Sequence, residues 1–242
     1  MPPSQSAAGL GRAEATPLSA GGSHRTLAEK AYVELHARIL SGELAPGERL
    51  RIDVLAALLE MSPMPIREAL NRLSAAGLVD HAPHRATRVA ELSLDDLAEV
   101  YEARLALEPL AVRLAAERFT PADENAARDA LGAYEERLEG DPAALWAAHT
   151  GFHYALYAAA GSQWLLRLIT PLWETTERYR RASLPTERSP SERAVEHERM
   201  LAACVARDGE AAARETHAHL SLTANMMAQT MGSDSPLFAP GG

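Results

Sequence analysis

Ser62-Pro63-Met64-Pro65-Ile66-Arg67-Glu68-Ala69-Leu70-Asn71-Arg72-Leu73 is the stretch on which the fold turns. Ile66, Ala69, Leu70 and Leu73 recur at i, i+3, i+4 and i+7, so one side of a helix is apolar. Pro65 suits the first turn, where a missing N–H costs nothing, and Ser62 just before it is a candidate cap. Upstream, residues 53–59 read as a short helix that buries Val54, Leu55, Leu58 and Leu59. Two short helices joined by a tight turn, the second presenting Arg67, Asn71 and Arg72 outward, have the layout of a helix-turn-helix. Arg and Asn are the side chains that pair bidentately with guanine and adenine edges in a major groove. The competing reading is an ordinary helical hairpin with a solvated basic face.

Working outward, residues 27–41 form a first helix, closed by Gly42 and followed by Pro46. Residues 78–81 and 87–90 read as the two strands of a small hairpin, a wing with Pro83-His84-Arg85 near its tip. His81 and His84 fit a wing surface better than any chemistry. After Ser93, a cap followed by Asp95 and Asp96, only helices are expected: 95–118, 121–139, 142–160, 162–181, 191–208 and 209–231. Pro171 is expected to kink or divide the fourth of these, and 184–190 to be a loop. The fold class is therefore mainly α, an N-terminal winged helix-turn-helix followed by an antiparallel all-α helical bundle. Four segments result: a disordered leader (1–23), a DNA-binding domain (24–92), a helical effector-binding and dimerisation domain (93–231) and a disordered tail (232–242).

Composition agrees. The 242 residues suit two compact units. A single cysteine, Cys204, leaves no intramolecular disulfide and fits a reducing cytosol, so the chain reads as cytoplasmic. No run approaches the ~18 apolar residues of a membrane span. The net charge of −9 is unusual for a DNA binder until it is partitioned. Residues 24–92 carry nine Lys/Arg and nine Asp/Glu, while residues 93–242 carry fourteen and twenty-three. The acidity belongs to the second unit and turns it away from DNA. Contact is left to clustered cations in the first: Arg49, Arg67, Arg72, Arg85 and Arg88, with Arg51 nearby.

The histidines carry the chemistry. His149 and His153 lie one turn apart, on a stripe with Leu145, Trp146, Phe152, Leu156 and Ala160. His197 shares its stripe with Ala194, Leu201 and Cys204, and His219 shares its own with Ala212, Thr216, Leu222, Thr223 and Met226. Four of nine histidines thus point into one bundle, while His217 falls on the outer side. Burying each imidazole without a partner costs roughly 1–3 kcal/mol. A divalent metal satisfies all four together, and an i, i+4 pair has the right bite. A hydrogen-bonded histidine cluster is the alternative. Arg104 also points inward, on a stripe with Leu97, Val100, Leu107, Ala111 and Leu114. It either pairs with Glu108 one turn on, or clamps a carboxylate effector.

The run 62–70 resembles the S-R-T-P-V-R-E-A-L signature of the GntR family of bacterial transcription regulators. Ile39-Leu40-Ser41-Gly42-Glu43-Leu44-Ala45-Pro46-Gly47-Glu48-Arg49-Leu50 is similar to the family's I-x-x-G-x-L-x-P-G-x-x-L, and Leu73-Ser74-Ala75-Ala76-Gly77-Leu78-Val79 to its exit from the recognition helix. Pro63 stands where the family has an Arg that contacts DNA, and Ala86 where the wing has Gly. The second half resembles the FCD effector domain of the FadR subfamily. Tyr101-Glu102-Ala103-Arg104-Leu105-Ala106-Leu107-Glu108-Pro109-Leu110-Ala111 is similar to its Y-x-x-R-x-x-L-E-x-x-A, and His149-Thr150-Gly151-Phe152-His153 to its D-x-x-F-H. Glu196-His197 and Ala218-His219-Leu220 fall on its later histidine positions.

The resemblance implies a dimer on a palindromic double-stranded DNA operator, contacted through Arg49, Ser62, Met64, Arg67, Asn71, Arg72, Arg85 and Arg88. It also implies a metal held by His149, His153, His197 and His219, and a small organic acid met by Arg104, with Thr223 as a weaker contact. His149 replaces the family's aspartate, so four neutral imidazoles would favour Zn²⁺, with Ni²⁺ next, and leave the ion's full charge for an anion. The reading is a repressor relieved by its effector, and not an enzyme. The rivals are a metal-dependent helical-bundle enzyme, weakened because no H-E-x-x-H is present, and a metal-free regulator sensing an acyl chain.

Overall fold

The computed structural model describes residues 26–80, 86–138, 141–183 and 190–239. The expected leader, Arg85 and the wing-tip histidines His81 and His84 lie outside the described residues. In chain order come α1 (Leu27–Leu40), α2 (Ile52–Leu58), α3 (Pro63–Ala75), β1 (Val79–Asp80), β2 (Arg88–Val89), α4 (Leu94–Arg118), α5 (Pro121–Glu135), α6 (Pro142–Ala158), α7 (Gln163–Ser183), α8 (Pro190–Val205) and α9 (Gly209–Thr230).

The first unit is α1–α3 with β1 and β2. Ala31, Leu35 and Ile39 of α1 meet Leu55 of α2 and Ile66, Leu70 and Leu73 of α3 in one core. Val79 pairs with Val89 and Asp80 with Arg88 in an antiparallel hairpin two residues deep. Ser62 is the N-cap of α3, but its side chain makes no cap hydrogen bond. A serine cap bonds the second or third N–H of its helix; Pro65 at the third position has none, which leaves only the Met64 N–H, and that bond is not made.

The second unit is the bundle α4–α9. Its core gathers Ala111 and Val112 of α4, Leu131 and Tyr134 of α5, Phe152 and Leu156 of α6, Trp173 of α7, Leu201 of α8 and Ala212 of α9. Thr120 and Asp123 form a reciprocal capping box at the start of α5. Of the two outcomes expected at Pro171, a kink or a division, division does not occur: α7 runs as one helix with the proline inside it. The Thr170 hydroxyl donates to the Leu166 carbonyl in the turn before the proline, and Thr175 to the Pro171 carbonyl after it. Pro190 also belongs to a helix, α8, rather than to the preceding loop.

The expected disordered tail is ordered through Ala239. Asn225 of α9 donates through Nδ2 to the Phe238 carbonyl at 2.8 Å and accepts the Phe238 N–H at 3.0 Å. Leu237 and Phe238 pack on the cluster of Leu97, Val100 and Tyr101. A Pro/Gly/Ser composition without periodicity concealed two apolar residues that find a surface.

The units meet along α7. Tyr32 of α1 donates to Glu174 at 2.9 Å, Thr175 donates to the Ala76 carbonyl at 2.6 Å, and Arg178 donates to the Ala90 carbonyl at 2.9 Å.

Candidate functional site

On the first unit, Arg49, Ser62, Met64, Arg67, Asn71, Arg72 and Arg88 are all exposed. Met64, at the head of α3, is 70% exposed. Arg67 and Asn71, one turn apart on α3, form its solvent side. Two cations are turned from their expected direction. Arg72 lies 4.0 Å from the Tyr32 ring centroid and pairs with Glu29 at 2.6 Å, so it braces α3 against α1. Arg88 donates to the Gly47 carbonyl at 2.8 Å.

In the bundle, α6 contributes His149 and His153, α8 His197 and α9 His219. All four are buried, and each offers one ligand atom within 4.8 Å of the others. Sequence periodicity had brought these four together, and the geometry does the same. His149 Nε2 and His153 Nε2 stand 3.2 Å apart. Outside the cluster, Glu196 Oε2 lies 2.9 Å from His219 Nδ1, the Tyr157 hydroxyl 3.3 Å from His153 Nδ1, and Arg180 Nη1 2.9 Å from His149 Nδ1.

Electrostatics favour the neutral form of His149, His153 and His219. Burial lowers the affinity of His149 for a proton well below its ordinary range, and the Arg180 guanidinium and the other imidazoles lower it further. Burial and the neighbouring imidazoles do the same to His153. For His219 burial outweighs the opposing pull of Glu196. Neutral imidazole is the metal-binding form. His219 Nε2 is buried with no hydrogen-bond partner, the unsatisfied state that an ion would relieve. The residues present therefore fit a divalent metal with a preference for nitrogen ligands.

Arg104 and Glu108 are completely buried and paired. Arg104 Nε donates to Glu108 Oε1 at 2.6 Å, Nη2 to Oε2 at 3.3 Å and Nη1 to Thr176 Oγ1 at 3.3 Å. Burial alone would make the guanidinium easier to deprotonate, but Glu108 beside it more than reverses this. The Glu108 pair, one of the two readings of Arg104, is therefore present. Thr223 turns its hydroxyl onto its own helix, donating to the His219 carbonyl at 2.8 Å. His217, expected on the outer side, is half-buried, with Nδ1 3.4 Å from Ser221 Oγ.

Arg180 is the residue that sequence reasoning missed. It is 4% exposed, stacks between Trp146 and Trp173, and keeps a buried Nε with no hydrogen-bond partner. Trp173 Nε1 is a second buried donor without one. The signal was present: Ile169, Trp173, Thr176 and Arg180 share one face of α7 at i, i+4, i+7 and i+11.

Residues 27–89 match the family described as bacterial regulatory proteins, gntR family, and residues 99–222 match the FCD domain. The chain belongs to the GntR family, in the branch that carries an FCD domain. It is 32% identical over 212 residues to the HTH-type regulator BphR of Paraburkholderia xenovorans, covering 85% of this chain and 86% of that one. It is 28% identical to the transcriptional repressor GlaR of Escherichia coli, covering 84% of this chain and 96% of that one. Its fold is similar to that of McbR/YncC of Escherichia coli, with a TM-score of 0.73 and 27% identity over 86% of this chain and all of that one. This GntR regulator is accordingly a DNA-binding transcription regulator, in a family of regulators rather than enzymes. Among the described residues no helix is long and apolar enough to cross a membrane.

Proposed function

We propose that this GntR regulator is a cytoplasmic homodimeric repressor whose bundle holds a divalent metal, Zn²⁺ in preference to Ni²⁺, among His149, His153, His197 and His219. A small organic acid binds beside that ion and lowers affinity for a palindromic operator. The observation that carries this reading is the gathering of four buried imidazoles from three helices around one point. Chance burial of four such rings, each needing partners, is disfavoured, whereas neutral nitrogen donors suit a borderline-soft ion. Buried positive charge supports an anionic effector, with Arg180 next to the cluster and Arg104 behind it; Arg104 takes part only when its pair with Glu108 opens.

The related GlaR is a transcriptional repressor, and the same activity is extended to this chain. Two-fold protein symmetry calls for a two-fold operator. A ligand shifts the operator equilibrium only by its differential affinity for two arrangements of the bundle and winged unit. The α7 contacts with Ala76 and Ala90 are where such a difference would be felt.

The test is elemental analysis of full-length protein purified without an affinity tag, followed by mobility shifts on an operator selected from random DNA. One ion per chain, lost in His153→Ala, is the expected result. Protein that takes up neither Zn²⁺ nor Ni²⁺ and binds its operator unchanged would refute the metal reading and favour the metal-free acyl sensor.

A further inference from the structure

His149 differs from its neighbours in what its outer nitrogen meets. His219 Nδ1 faces the Glu196 carboxylate at 2.9 Å, so it carries the proton and leaves Nε2 bare. His153 Nδ1 faces the Tyr157 oxygen at 3.3 Å, while the Tyr157 proton is committed to Glu108 Oε2 at 2.5 Å. The Tyr157 oxygen therefore accepts from His153 Nδ1, and His153 Nε2 is bare as well. His149 Nδ1 faces Arg180 Nη1 at 2.9 Å. A guanidinium has five donors and no acceptor, so His149 Nδ1 must be the acceptor. A neutral imidazole has one proton, which then sits on Nε2. That Nε2 stands 3.2 Å from the bare Nε2 of His153, a donor facing an acceptor. In each contact that links Arg180, His149, His153, Tyr157 and Glu108 a donor thus meets an acceptor, and Arg104 closes the far end on Glu108.

We propose that Arg180 makes His149 a hydrogen-bond donor rather than a metal ligand, so that the ion is held by His153, His197 and His219 and its remaining position stays open. This inference rests on the reading that the cluster holds an ion, and it reassigns one of the four. An N–H has no lone pair to offer a metal, and a site with three protein ligands keeps a position for water or an anion. His149 Nε2–H is placed to donate to an oxygen anion in that position, and the Arg180 charge behind it strengthens the donor. Where the family's pattern has an acidic ligand at this position, this chain has a cationic arm of two side chains. The occupant is then a carboxylate or a comparable oxyanion, bound with its charge shared between ion and arm.

The direct test needs no metal. Full-length metal-free protein labelled with ¹⁵N-histidine is observed by long-range ¹H–¹⁵N correlation, with His149→Gln assigning the signal. The expected pattern is a bare Nδ1 and protonated Nε2 for His149, and the reverse for His153 and His219. A protonated Nδ1 on His149 overturns the proposal.

The second test is Zn²⁺ affinity by chelator competition. His149→Ala is expected to lose at most about a hundredfold and His153→Ala clearly more than that, the contrast between a supporting group and a ligand. Equal losses overturn the proposal even if the tautomer is as expected. In Co²⁺-loaded protein, acetate is expected to shift the visible bands of the wild type, and several-fold more acetate to be needed in Arg180→Gln. An unchanged acetate response in that variant removes the arm. Wild-type protein that takes up no Zn²⁺ or Co²⁺ defeats the metal reading and the ligand count together, while the histidine tautomers are still decided by the first measurement.

Discussion

Thr175 and Thr176 are adjacent on α7 and serve different units. Thr175 Oγ1 donates to the Ala76 carbonyl at 2.6 Å, behind the recognition helix, whereas Thr176 Oγ1 accepts from Arg104 at 3.3 Å inside the bundle. Gly77, beside Ala76, has φ +68°, and a Cβ there would come 3.3 Å from Thr175 Oγ1. Gly77→Ala therefore meets a left-handed backbone and a crowded contact at once, and is expected to cost about 1–2 kcal/mol. Chemical denaturation of wild type and variant measures it.

Arg67 and Arg72 lie on one helix with different tasks. Arg67→Ala is expected to abolish operator binding in a mobility shift while the helical circular dichroism is kept. Arg72→Ala loses the Glu29 pair and the Tyr32 contact, and with them the brace between α1 and α3. It is expected to lower stability by about 1 kcal/mol in addition to any loss of DNA affinity. Normal operator binding by Arg67→Ala would take that residue out of the interface.

The buried pair of Arg104 and Glu108 predicts a large asymmetry. Glu108→Gln leaves a cation enclosed without its counter-charge, and breaking such a pair costs about 3–5 kcal/mol. The double change Arg104→Met with Glu108→Leu removes both charges and is expected to destabilise much less. Denaturant midpoints of the three proteins give the comparison.

Acid should unfold the metal-free protein earlier than its carboxylates alone would. Burial lowers the proton affinity of His36, His149, His153 and His219 below the ordinary value of 6.5. As pH falls through about 6.5 the unfolded chain takes up these protons first, so it is favoured. The histidine contribution is thus complete above that pH and declines below it. A thermal midpoint that is flat between about pH 7.5 and pH 5.5 would contradict this, and His153→Gln should reduce the slope.

The two-unit architecture was legible because its signals are local. Apolar spacing from Ile66 to Leu73 and the stripes around His149, His197 and His219 depend only on helix geometry, and those helices buried most of the expected face; Val54 and Leu58 of α2, expected to be buried, are instead 52% and 48% exposed, and Leu222 on the His219 stripe is 39% exposed. Partnership was not legible, because it depends on how helices are placed against one another. Arg104 had two candidate partners and took Glu108; Arg180 looked like one more cation in Arg178-Tyr179-Arg180-Arg181, yet it alone of the three arginines reaches the histidines. Arg72 read as a base-contacting residue, and the aromatic face of Tyr32 that draws it away lies forty residues earlier. At Pro171 division of the helix did not occur, and α7 runs on through the proline with Ile169 and Trp173 packed in the core.

The clasp between Asn225 and Phe238 has a practical consequence for handling the protein. Asn225 is six residues beyond His219 on α9, a rise of about 9 Å. Anything appended after Phe238 is therefore anchored close to a helix that contributes to the histidine cluster, instead of trailing free. A C-terminal polyhistidine tag would place competing imidazoles near the histidine cluster in any metal assay, so purification handles belong at the other end of the chain.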